Sequence, residues 1–168
     1  VALTESILAD ELELAFNDPT PDGARWGLAF ANYFKGAGVP LDGATFNGVG
    51  AVEATVDAAG LGMGIVFTSP DTAEAAALKI ANGLVAFWAA IALAPGGFWV
   101  VAQTPVVTPA GFLGGALSAV AIGLVADFAL NTTTKASVAD AAATIAATIH
   151  TNGLGGSAVL GTTPTAIL

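Results

Sequence analysis

His150 is the one histidine in a chain of 168 residues that has no cysteine, so acid–base or metal chemistry would have to begin there. A histidine base needs a nucleophile and an orienting carboxylate beside it. No G-x-S-x-G or H-E-x-x-H pattern supplies either. Its place near the end of a predicted helix, where a cation is mildly favourable, reads as a capping or partly exposed side chain. The carboxylates crowd the N-terminal region: Glu5, Asp10, Glu11, Glu13, Asp18 and Asp22. Oxygen ligands of this kind hold divalent cations, but the spacing fits no EF-hand loop. On a helix Asp10, Glu11 and Glu13 point in different directions, which is the pattern of a solvated face. No spacing singles out a carboxylate pair for glycoside hydrolysis. The GLGMG segment at 60–64 lacks the spacing of a dinucleotide-binding turn and lies inside a helical pattern. Close helix packing or a helix break is the use expected of those glycines. The chain therefore reads as a non-enzyme, with no catalytic residue, cofactor or metal ligand.

Charge and composition set the next bounds. Four Lys and Arg stand against 13 Asp and Glu, a net charge of −9. Arg25, Lys35, Lys79 and Lys135 are scattered, whereas neutralising phosphates takes clustered cations, so direct nucleic-acid binding is not expected. The chain is 55% apolar and only 10% charged, where a soluble domain carries about a quarter charged residues. Between Lys79 and Asp127 there is no charged residue and no histidine. Two segments there, 80–94 and 110–126, raise the question of one or two membrane spans. The second is at the lower length limit for a span, is mostly Ala and Gly, and neither has a basic flank. The reading preferred over a membrane protein is a pair of helices buried on all sides, which neighbouring subunits would help to cover.

These residues must be carried by helices. Thr4 is placed to cap a helix through Phe16 with Ile7, Leu8, Leu12, Ala15 and Phe16 on its inner stripe. Thr20-Pro21-Asp22 starts a second, to about Lys35, burying Trp26, Phe30, Tyr33 and Phe34. A third is predicted over 48–67, with Val49, Val52, Val56 and Ala59 on one face. Ser69-Pro70-Asp71-Thr72 opens a fourth, to about Leu93. Residues 98–107 read as an extended segment that Pro105 confines to a sheet edge. A fifth helix spans about 109–130. Ser137 and Asp140 resemble a capping box opening a sixth, which ends near His150. The tail, 152–168, is apolar and Thr-rich and reads as an extended arm.

Three segments share one order, readable as an internal repeat or as the matches any Ala-rich helical chain shows. Phe16, Phe67 and Phe128 each close a helix before a polar loop. Ala24, Ala75 and Ala136 follow at one common offset, and Tyr33, Leu84 and Ile145 at another. The expected fold is a single mainly α domain over 1–168: a bundle of about three helical hairpins (4–35, 48–93 and 109–151), a short edge strand and a C-terminal arm. Phe87, Trp88, Phe98 and Trp99 are candidate interface anchors, as are Val159, Leu160, Ile167 and Leu168 in the arm. The alternative for the aromatics is an intramolecular core.

The order of FWAAIALAPGGFWVV, then TPAGFLGGALSAVAIGLVADFALNTTTKASVADAAATIAATIHT, then a Gly/Thr/Pro-rich end resembles small bacteriophage virion proteins of the tail and neck over roughly 87–168. The resemblance implies a structural subunit that forms a ring or other symmetric homo-oligomer in the neck, tail or baseplate. It also implies contact with other virion structural proteins, and residence in the virion after synthesis in the host cytoplasm. It assigns no functional residue.

Overall fold

The computed structural model describes residues 3–20, 23–36, 39–41, 44–46, 53–68, 73–91, 97–100, 137–154, 157–160 and 163–166. Their order is α1 (Glu5–Phe16), α2 (Ala24–Phe34), β1 (Val39–Leu41), β2 (Ala44–Phe46), α3 (Glu53–Leu61), α4 (Ala73–Ala90), β3 (Gly97–Val100), α5 (Val138–Leu154), β4 (Ser157–Leu160) and β5 (Thr163–Ala166). The predicted helix at 109–130 lies outside the described residues, as do Ile167 and Leu168.

α1 starts where the sequence places it. Thr4 holds the extended cap conformation, φ −125° and ψ 112°, but its hydroxyl makes no bond to the first turn. Glu5 sits in that turn, where the helix dipole favours an anion. Asn17 ends the helix, its side-chain amide donating to Glu13 O at 3.0 Å. Asp18 Oδ1 then accepts from Thr20 N at 2.8 Å, the self-bonded turn that Asp makes before the chain reverses. α2 begins at Gly23, which stands at φ 75°, a left-handed conformation that glycine adopts without strain. The expected capping box opens α5: Ser137 Oγ accepts from Asp140 N at 3.2 Å and donates to Asp140 Oδ2 at 2.9 Å.

Two helix ends and one side chain differ from the sequence reading. α3 ends at Leu61, not Phe67, because Gly62 and Met63 close the last turn on Ala58 O and Gly60 O. Beyond it Met63 and Ile65 are buried while Gly64 and Val66 face out. That is the period of two belonging to extended backbone, not a helical stripe. Phe67 therefore lies beyond the helix rather than closing it. α5 runs past His150 to Leu154, because a glycine in a helix costs only about 1 kcal/mol and Gly153 is too weak a stop. On α1, Ile7 is 47% exposed although the stripe placed it inside.

The helices share one apolar core. α1 packs on α5 and on α2, α2 on α3, and α3 on α4. Leu8, Leu12, Phe30, Phe34, Ile80, Leu84, Phe87, Ile145 and Ile149 are its fully buried centre. Tyr33, Leu84 and Ile145, the three apolar repeat positions, all lie in it. α2 and α3 cross backbone to backbone at Gly27 and Gly60. A Cβ on Gly60 would stand 2.5 Å from Gly27 O and 2.8 Å from Ala31 Cβ, and one on Gly27 would run into Gly60 O. Close helix packing is thus the use of Gly60 in GLGMG, and the helix break is at Gly62.

The strands are short and antiparallel. β1 and β2 pair from Val39↔Phe46 to Leu41↔Ala44. β3, β4 and β5 form a second sheet in that order, with β3 at one edge. Residues 152–154 of the predicted tail still belong to α5, and β4 and β5 pair within their own chain: Gly97 lies opposite Leu160, Phe98 opposite Val159, and Leu160 opposite Thr163.

Candidate functional site

Polar chemistry gathers along α2, where it packs on α1 and on α3. Arg25 Nη2 donates to Glu11 Oε2 at 2.7 Å, and Asn32 Nδ2 donates to the same oxygen at 3.1 Å. One turn further, Lys35 Nζ reaches Asn32 Oδ1 at 3.4 Å and pairs with Asp57 Oδ1 at 2.6 Å. The lysine meets that oxygen as an ion pair rather than along a hydrogen-bond direction, since Asp57 Oδ1 has no aligned donor. Glu11 was read as part of a solvated face. It turns instead into the α1–α2 groove, because Arg25 and Asn32, seven residues apart on α2, stand two helical turns along one face. The Glu11 and Arg25 side chains are each less than a quarter exposed, which makes this a charge-assisted tie.

His150 lies at the junction of α5 and α2. Tyr33 Oη is 2.8 Å from His150 Nδ1, and the two rings meet edge to face. The phenol and Nδ1 share one hydrogen bond, whose direction depends on the tautomer of the ring. Burial pushes the Tyr33 hydroxyl far above the ordinary tyrosine range, and the negative charge of Glu5 adds to the shift. A hydroxyl so hard to ionise is a hydrogen-bonding anchor. The partly exposed histidine expected from the sequence is observed, and its partner, from 117 residues away in sequence, carried no local signal.

Two aromatic clusters form among the described residues. Trp26 is held edge to face between Phe16 at 4.9 Å and Phe67 at 4.7 Å between ring centres. These are the first two repeat phenylalanines, and they clamp one tryptophan. The cluster lines a surface cleft of about 380 Å³ between the end of α1, the start of α2 and residues 65–68, together with Asp18, Arg25 and Thr68. The second cluster joins Phe34 to Phe87 at 5.0 Å and to Trp88 at 4.7 Å. Phe87 and Trp88 are 0% and 2% exposed. Within this chain they pack in the core, the alternative the sequence left open for them, because their helical spacing puts them on the stripe of α4 that faces Phe34. Phe98, Trp99, Val159 and Leu160 lie on paired strands of the second sheet.

α4 is two-faced, where the sequence suggested burial on all sides. Ala77, Ile80, Ala81, Leu84, Phe87 and Trp88 line its inner side, and Asn82, Ala86, Ala89 and Ala90 are exposed. Among the described residues no helix is long and apolar enough to cross a membrane, and no three His, Asp or Glu side chains gather to hold a metal ion. The segment 110–126 lies outside the described residues. No protein-family model, curated protein or solved structure matches the chain.

Proposed function

We propose that the protein is a non-enzymatic structural subunit of a bacteriophage virion, built as about three helical hairpins. It assembles as a ring or other symmetric oligomer in the neck, tail or baseplate and contacts other virion proteins there. The observation that carries this reading is the outward face of α4. A helix on the surface of a free-standing domain turns charge to water, whereas the exposed positions from Asn82 to Ala90 hold one amide and three alanines. That face belongs to the stretch between Lys79 and Asp127 that has no charge. Small side chains let a neighbouring helix approach closely, and a neighbour would remove this uncharged surface from water. The paired ions support the same reading, since Arg25 and Lys35, half of the chain's four cations, tie helices to each other. The virion assignment rests on the resemblance in segment order over 87–168.

Native mass measurement of the purified chain tests the oligomer, with Ala86→Lys as the probe. The expected outcome is a discrete oligomer that Ala86→Lys dissociates at unchanged helicity. A wild-type monomer at micromolar concentration would overturn the reading. Mass spectrometry of purified virions from the source phage tests the location. The second reading, a small membrane protein using 80–94 or 110–126, is favoured by the uncharged stretch alone. Partition of the chain into detergent, with none in the aqueous phase, would select it.

A further inference from the structure

We draw no further inference here: the strongest candidate, the Tyr33–His150 pair where α2 meets α5 as a pH-responsive tie, carries nothing because the phenol can donate to a neutral ring or accept from a protonated one, so the geometry fixes no direction for the response.

Discussion

Tyr33 is the single tyrosine of the chain, which makes its ionisation directly visible. Its hydroxyl titrates far above the ordinary value in the folded state because burial, and then Glu5, oppose the charge. In the unfolded chain it loses its proton near pH 10. The folded state therefore holds the proton where the unfolded state has lost it, and the contribution to stability is complete below about pH 10 and falls as pH rises above it. Tyrosinate absorbance should stay silent through that range and appear together with loss of helicity. A reversible tyrosinate titration with the helices intact would show that the hydroxyl reaches water. Trp88 makes the complementary prediction. At 2% exposure and packed on Phe34 and Phe87, its truncation in Trp88→Ala should cost about 3–5 kcal/mol in denaturant melts, the range for a buried tryptophan. An unchanged midpoint would remove Trp88 from the core.

At the scale of elements, the α2–α3 crossing is set by two glycines with nothing between their backbones. Gly27→Ala or Gly60→Ala drives a methyl into a main-chain carbonyl, which cannot yield as a flexible side chain can. Each should destabilise by about 1–3 kcal/mol or more, the cost of overpacking. Gly62→Ala, whose nearest neighbours stand at 3.3 and 3.5 Å, should cost clearly less in the same thermal melts. Equal effects at all three positions would mean that helix propensity, not the crossing, is being measured. The same elements show what a sequence makes legible. α1, α2 and α4 could be read because apolar spacing and polar breaks are local, and the Ser137–Asp140 box could be read because its partners are three residues apart. The end of α3 was misread because Met63, Ile65 and Phe67 extend an apolar pattern while changing its period from helical to alternating. The β1–β2 hairpin was missed although Asp42-Gly43, a pair that two-residue hairpin turns favour, separates its strands in the sequence. The Glu11–Arg25 and Tyr33–His150 ties were not legible at all: each joins residues that only the packing of helices brings together.

For the whole molecule, the proposed assembly has to form although the chain carries a net charge of −9. The Glu11–Arg25 and Lys35–Asp57 pairs are each neutral and internal to the chain, so they leave the excess negative charge undiminished on the outside. Two copies therefore repel, over about 30 Å at 0.01 M salt and about 8 Å at 0.15 M. An assembly built on the uncharged face of α4 draws its attraction from apolar burial, which salt does not screen. The two terms respond in opposite ways to ionic strength: salt weakens the repulsion and leaves the attraction. Raising salt from 0.01 M to 0.5 M, both about the scale over which screening changes most, should shift the light-scattering mass toward the oligomer. Bringing pH down toward the isoelectric point near 4.1 should act in the same direction while the fold survives. Dissociation by salt would mean instead that opposite charges hold the copies together, and a chain with only four cations, of which Arg25 and Lys35 pair within the chain, is poorly equipped to supply such contacts.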